Sequence, residues 1–384
     1  MTVRLPSDFV IGAATSAHQI EGGNRLNDCW HNEHAADSLF AEPSGTACGS
    51  WERWREDVAI VADLGLDAYR FSLEWSRIQP TPGEVCREAL EHYLAIVDEC
   101  GRAGVQPVVT LHHFTNPIWM ARAGGWANPD VVDRFDRYVQ AVLPVLEAVD
   151  LVWTLNEPSI TAEWNHRLTL PPRAAADPRI FEHLLAAHRH AVDLLHADKP
   201  SRQVGLTLAL NDWEILPGGD AAAARLRELQ EDRWLRAVRG DDVVGVQTYT
   251  SVTVGRDGLV PPSADEPLTL TGWRIRPAAV AAAVRHAARV SGLPVVVTEN
   301  GIATDDDELR WTFICQALSS LTELLDEGVD VRGWFYWSLL DNFEWLLGYA
   351  PTFGLVEVDR ASLSRTPRAS AVRLAEALRA GTWR

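Results

Sequence analysis

The chain has 384 residues, 47% of them apolar, with 53 acidic against 35 basic side chains and a formal net charge of -18. That charge excludes a nucleic acid or an anionic membrane surface as partner, since either would repel the protein, and leaves a small neutral ligand as the expected one. With 23% charged residues and ample apolar material, the composition is globular and excludes disorder.

Strand and helix signals alternate along the whole chain. A first apolar run, Val10 to Ala14, is followed by a helical stretch over Arg55 to Leu64. Runs at Ala68 to Leu73, Pro107 to Leu111 and Leu151 to Leu155 alternate with helical stretches over Glu88 to Gly101, Val131 to Val149 and Ile180 to Ala197. The remaining runs are Val204 to Leu210, Asp242 to Val246, Pro294 to Thr298 and Val331 to Trp337, with helical stretches over Arg276 to Ser291 and Leu309 to Glu327. Val295-Val296-Val297 and Pro107-Val108-Val109 are apolar on consecutive positions, as parallel strands covered on both faces require. Eight such units without a nucleotide-binding loop predict α/β architecture, a single (β/α)8 TIM barrel spanning 1-384 as one catalytic domain. Pro171-Pro172 and Pro261-Pro262 mark loops inside it.

No stretch reaches the roughly 20 apolar residues that span a bilayer. The N-terminus has no charged-then-apolar leader, so a cytoplasmic location is expected. Cys29, Cys48, Cys86, Cys100 and Cys315 are scattered and include no C-x-x-C pair, so neither disulfides nor a zinc knuckle is expected. The one lysine, Lys199, lies in a loop-like stretch, which excludes Schiff-base chemistry.

In a barrel the active site forms at the C-terminal ends of the strands. Those ends carry His18-Gln19-Ile20-Glu21-Gly22, Glu74-Trp75, His112-His113-Phe114, Asn156-Glu157-Pro158, Gln247-Thr248-Tyr249, Glu299-Asn300-Gly301, and Trp337 followed by Glu344-Trp345. Glu157 and Glu299 end the fourth and seventh strands, which are expected to face each other across the barrel. Two such carboxylates, one protonated and one ionised, suit glycoside cleavage: an acid for the departing oxygen and a base or nucleophile for the anomeric carbon. Pro158 and Gly301 mark abrupt strand ends, the first without an amide hydrogen and the second with backbone freedom.

Arg70 is a charge inside an apolar strand and needs a carboxylate. Glu299 is one partner, which would keep that acid ionised and below Glu157 in pKa; Glu74 or a helix acid is the alternative. Of the sixteen tryptophans, Trp30, Trp119, Trp126, Trp164, Trp337 and Trp345 fall in loops expected to ring the mouth. Trp337 and Trp345 are the expected substrate contacts, through indole faces on sugar C-H groups.

The blocks from Phe9 to Gly22, Tyr69 to Ile78, Thr154 to Pro158, Val297 to Gly301 and Trp337 to Trp345 resemble those of glycoside hydrolase family 1, the retaining β-glucosidases, in order and almost end to end. The resemblance implies a retaining β-glycosidase without cofactor or metal. It makes Glu157 the acid/base and Glu299 the nucleophile, with Arg70 and Tyr249 supporting Glu299. Gln19, His113, Asn156, Trp337, Glu344 and Trp345 would bind the sugar, and the two carboxyls would lie about 5 Å apart. An unphosphorylated glycone is expected, because Glu344 would repel a phosphate and no lysine stands nearby.

Three departures stand out: Gln247-Thr248-Tyr249 where the family often has N-Y-Y, Phe114 where tryptophan is common, and a short stretch after Pro158. Three other functions compete. A metal-dependent hydrolase is disfavoured because His188 and His190 sit on a predicted helix, where i and i+2 diverge, and His112 and His113 alternate on a strand. A non-catalytic sugar binder usually loses one carboxylate, and both are here. A transglycosidase would use the same covalent intermediate with an alcohol as acceptor.

Overall fold

The computed structural model describes residues 5–162 and 177–381. Thirteen strands are described: β1 (Val10–Ala14), β2 (Ala68–Ser72), β3 (Gln106–His112), β4 (Leu151–Asn156), β5 (Gln203–Ala209), β6 (Asp212–Ile215), β7 (Val243–Gln247), β8 (Ser251–Gly255), β9 (Gly258–Val260), β10 (Val295–Asn300), β11 (Val331–Trp337), β12 (Val356–Val358) and β13 (Arg365–Pro367). Eight of them close a parallel barrel in the order β1-β11-β10-β7-β5-β4-β3-β2. These are the eight predicted runs, with ends moved by one or two residues. One shift matters, since β7 extends through Gln247 and holds that side chain on the barrel rather than in a loop.

Nearly every barrel-strand residue is buried, which follows from their valine-rich sequences and the helices that cover them. The helices Ser50–Asp63, Arg87–Ala103, Val131–Val142, Arg179–Asp198, Ala279–Ser291 and Asp307–Asp326 lie between strands, as expected from their periodicity. The stretch predicted to run to Val149 leaves α geometry after Val142, where Pro144, lacking an N–H, sits in a 3-10 turn, Leu143–Leu146.

The barrel interior is filled by side chains including Trp153 and Phe335. Gly12 and Gly205 make room for these rings: a Cβ on Gly12 would lie 2.5 Å from the Phe335 ring, and one on Gly205 would lie 2.9 Å from Trp153. The interior is therefore a packed core and not a pore.

A three-stranded sheet, β6-β8-β9, and a two-stranded pair, β12-β13, were not predicted. They sit outside the barrel on short, partly exposed strands without clear alternation. No helix among the described residues is long and apolar enough to cross a membrane.

Candidate active site

Both glutamates leave their strands at pairing irregularities. The β4–β5 register shifts between Trp153 and Asn156, and Glu157 takes a left-handed backbone (φ 42) while its N–H donates to Thr207 O at 2.9 Å. The β10 register with β7 and β11 shifts after Val297. Such irregularities re-aim a side chain at the rim of a sheet. In the closed order β4 and β10 are separated by β5 and β7, so the two strands are three places apart rather than diametrically opposed. The staggered rim nonetheless brings Glu157 and Glu299 to the wall of one cavity of about 380 Å³.

Gly301 closes β10 for a reason different from the expected one. It does not have a positive φ; a Cβ there would lie 1.9 Å from the Trp337 carbonyl oxygen, so the demand is for space.

Glu299 is held on both oxygens. Arg70 Nη1 donates to Oε1 at 2.6 Å, Gln247 Nε2 to the same atom at 2.5 Å, and Tyr249 Oη to Oε2 at 2.6 Å. The other nitrogens of Arg70 donate to Thr110 Oγ1 (3.1 Å) and Asn156 Oδ1 (2.7 Å), so the buried guanidinium ties four barrel strands, β2, β3, β4 and β10, together. Glu299, not Glu74, is thus its carboxylate partner. Glu74 instead caps the turn at Ser76 and accepts from Thr115.

Burial raises the pKa of both glutamates. At Glu157 the charge of Glu299 adds to the rise, and Arg70 opposes it. At Glu299 the Arg70 charge and the Tyr249 and Arg70 hydrogen bonds pull back toward the ordinary range. Glu299 is therefore raised from its ordinary value, while Arg70 and Tyr249 favour its ionised form over that of Glu157.

Gln19, His113, Trp337, Glu344 and Trp345 line the same cavity. Gln19 Nε2 donates to Asn342 Oδ1, Phe343 O and Glu344 Oε2, joining the loop after β1 to the loop after β11. His113 lies parallel to Trp337 and Trp345, with centroids at 5.9 and 6.3 Å. Burial and the Glu299 charge raise Glu344 to about 8, against hydrogen bonds from Trp337 and Gln19. At neutral pH Glu344 is therefore largely uncharged, and the expected repulsion of phosphate is weaker than a full carboxylate would give. No lysine or arginine lines the cavity among the described residues, and Lys199 pairs with Asp150 at the opposite end of β4.

Several buried polar atoms around this site have no partner among the described residues: Asn156 Nδ2, His113 Nδ1 and Gln247 Oε1. Unpaired buried polar atoms are costly, and a hydroxyl-rich ligand would satisfy them.

The predicted ring of tryptophans is only partly present. Trp126 is fully buried and donates to Asn116; Trp119 donates to Gln79 O beneath the rim; Trp30 stacks on His34. Trp164, Pro171-Pro172 and most of the short stretch after Pro158 lie outside the described residues. Several cavity residues were not predicted, Gln247 and Trp273 among them. Gln247 had a signal, its place at a strand end. Trp273 had none, because it follows the unpredicted outer sheet.

The histidine pairs are placed as the sequence implied. His188 hydrogen-bonds Thr154 and Asp241, whereas His190 faces Asp136 from the surface. His112 bonds Asn116 away from His113. Among the described residues one group of metal-type donors is close together: His18, Cys29 and Glu33, all buried. Asn27 is oriented by Trp30 N–H on its Oδ1, so its Nδ2 donates to His18 Nδ1. That leaves the proton on His18 Nε2, aimed at Glu33 Oε2 at 3.5 Å. A ligating nitrogen would instead need its other N–H donated outward, so these residues fit a histidine–carboxylate pair and not a metal.

The family model for glycosyl hydrolase family 1 matches residues 1–236 and 236–380. The bifunctional β-D-glucosidase/β-D-fucosidase of Bifidobacterium breve is 32% identical over 96% of this chain and 97% of its own. Among solved structures, β-glycosidase BGL167 is 39% identical (TM-score 0.93; 99% of this chain, 98% of that one). The β-glycosidase from Pyrococcus horikoshii is 35% identical (TM-score 0.93; 100% of this chain, 97% of that one). With the barrel, the paired rim glutamates and a family match running almost the whole length, the chain belongs to glycosyl hydrolase family 1.

Proposed function

We propose that this β-glycosidase hydrolyses an unphosphorylated β-D-glycoside, most simply a β-glucoside, by double displacement. Glu299 attacks the anomeric carbon while Glu157 donates a proton to the departing oxygen; a glycosyl–Glu299 ester forms and the glycosidic C–O bond breaks. Glu157, now ionised, takes a proton from water, whose oxygen attacks the same carbon and releases Glu299. The observation that carries this reading is the asymmetry of the two acids in one cavity. Glu299 has three donors on its two oxygens, and Glu157 is raised by burial and by the Glu299 charge.

Gln19, His113, Asn156, Glu344 and Trp345 bind the glycone hydroxyls, with Trp337 as the floor. The unpaired atoms of Asn156 and His113 support that role. Among the described residues no lysine or arginine lines the cavity, which favours a sugar without phosphate. The whole chain, 1-384, works as one catalytic unit. Five free thiols fit a cytoplasmic enzyme.

A panel of nitrophenyl glycosides tests the reading. Release of nitrophenol from a β-D-glycoside is expected; binding of sugars without release from any glycoside would make the chain a sugar-binding protein.

A further inference from the structure

Glu299 is bound unequally on its two carboxylate oxygens. Oε1 accepts from Arg70 Nη1 at 2.6 Å and from Gln247 Nε2 at 2.5 Å, whereas Oε2 accepts from Tyr249 Oη alone among the described residues. Each carboxylate oxygen has about two lone-pair sites. Both are filled on Oε1, and one is left on Oε2.

The donors on Oε1 form a closed arrangement. Arg70 Nη2 donates to Asn156 Oδ1 at 2.7 Å, and Gln247 Nε2 donates to the same atom at 2.9 Å. Arg70 and Gln247 thus each bridge Glu299 Oε1 and Asn156 Oδ1. A guanidinium can only donate, so Arg70 fixes which end of the Asn156 amide is the oxygen, and Asn156 in turn fixes the Gln247 amide. In the opposite orientation the Gln247 carbonyl would face two acceptors. Both Nε2 hydrogens are therefore used, one toward β4 and one toward β10.

Gln247 is 1% exposed, and its own Oε1 has no partner among the described residues. The unpaired oxygen costs free energy, and a bond from the other end of the amide to a carboxylate, stronger than one between neutral groups, offsets it.

We infer that the sugar bonds to Glu299 Oε2, the oxygen facing Tyr249, and that Gln247 acts through Oε1 to speed the second half of the reaction. In the first step the Oε2–C1 bond forms, the bond from C1 to the aglycone oxygen breaks with its electron pair, and Glu157 gives that oxygen a proton. Oε1 becomes the ester carbonyl and loses charge. In the second step the oxygen of water bonds to C1, its proton passes to Glu157, and the C1–Oε2 bond breaks. The electron pair returns to the carboxylate and is shared with Oε1. A donor on Oε1 holds the charged carboxylate more strongly than the ester. Gln247 therefore makes Glu299 a better leaving group without making it a better nucleophile. The inference rests on the roles proposed for Glu157 and Glu299.

A 2,4-dinitrophenyl 2-deoxy-2-fluoro β-glycoside of the glycone preferred in the nitrophenyl panel measures both steps. Release of the phenol traps the enzyme as the ester, and water slowly frees it. Gln247→Met keeps the length of the side chain and removes both N–H groups. On the plateau of the pH profile its reactivation should be about tenfold slower than the parent's, the effect of losing one hydrogen bond to a developing charge, while its inactivation is as fast or faster. A merely damaged site would slow both. Inactivation slowed as much as reactivation, or reactivation at the parent rate, would overturn the role of Gln247. The trapped parent enzyme supplies a check that needs no variant. Its crystal structure should show the sugar on the oxygen nearer Tyr249, with Gln247 Nε2 within hydrogen-bond distance of the other. A sugar on the oxygen nearer Arg70 would overturn the inference while leaving double displacement standing. Labelling of a residue other than Glu299, or failure to cleave any glycoside, would instead remove the proposed function and this inference with it.

Discussion

Arg70 on β2 and Glu299 on β10 meet at 2.6 Å although their strands lie three places apart in the closed order, with the guanidinium wholly buried. A buried arginine without a carboxylate would cost several kcal/mol, so the pair stabilises the barrel and fixes the acid in one step. The geometry also decides which of two similar side chains attacks. Burial pushes both glutamates toward the neutral form; the Arg70 charge opposes this at both, but Glu299 also accepts hydrogen bonds from the guanidinium and from the Tyr249 phenol.

Tyr249 provides the cleanest probe of that balance. Its hydroxyl donates to Glu299 Oε2, so it stabilises the ionised form and lowers the pKa. Tyr249→Phe removes the donor, Glu299 rises further, and less of it is ionised at acid pH. The acid limb of the kcat/KM profile should move up by about one pH unit, the size expected when a charged hydrogen bond is lost. A limb that stays in place or moves down would remove Tyr249 from this role.

Glu157 should matter in proportion to how badly the leaving group needs a proton. In Glu157→Ala, kcat/KM for alkyl glycosides is expected to fall by about a thousandfold or more, and for dinitrophenyl glycosides far less. Equal losses across the series would show that Glu157 is not the acid.

Gly301 links the site to stability. Its missing Cβ leaves room for the Trp337 carbonyl, and an added methyl would lie 1.9 Å from that oxygen. Gly301→Ala should therefore destabilise the protein by about 3 kcal/mol or more, seen as a lower urea midpoint. It should also disturb Glu299, two residues before it. A variant as stable as the parent would mean that β10 and the Trp337 segment separate more easily than their packing implies.

The barrel was legible because each of its strands is a run of buried apolar residues, from Val10–Ala14 to Val331–Trp337, between amphipathic helices of ordinary length. The catalytic pair was legible for the same reason: once strand ends are known, the polar residues just beyond them are few. The closed order was less so. Sequence numbering makes strands four and seven seem opposite, while the barrel sets β4 and β10 three places apart.

The outer sheet escaped because Asp212–Ile215, Ser251–Gly255 and Gly258–Val260 are short and only half covered, so no period survives. Trp273 escaped with it. Trp119 and Trp126 were misplaced in the other direction, because an indole carries the same letter whether it packs under a rim or lines one. The raised Glu299 could not be read from its neighbour Arg70 alone, since burial is a property of the assembled rim.

The central claim is that Glu299 forms the bond to the sugar. Glu299→Gly should lose hydrolysis of an aryl β-glycoside by many orders of magnitude, and added azide should restore aryl release by entering the space left on the face opposite the leaving group. The account predicts an α-glycosyl azide as the product; a β-glycosyl azide, or no rescue in a variant that folds and binds the glycoside, would contradict it.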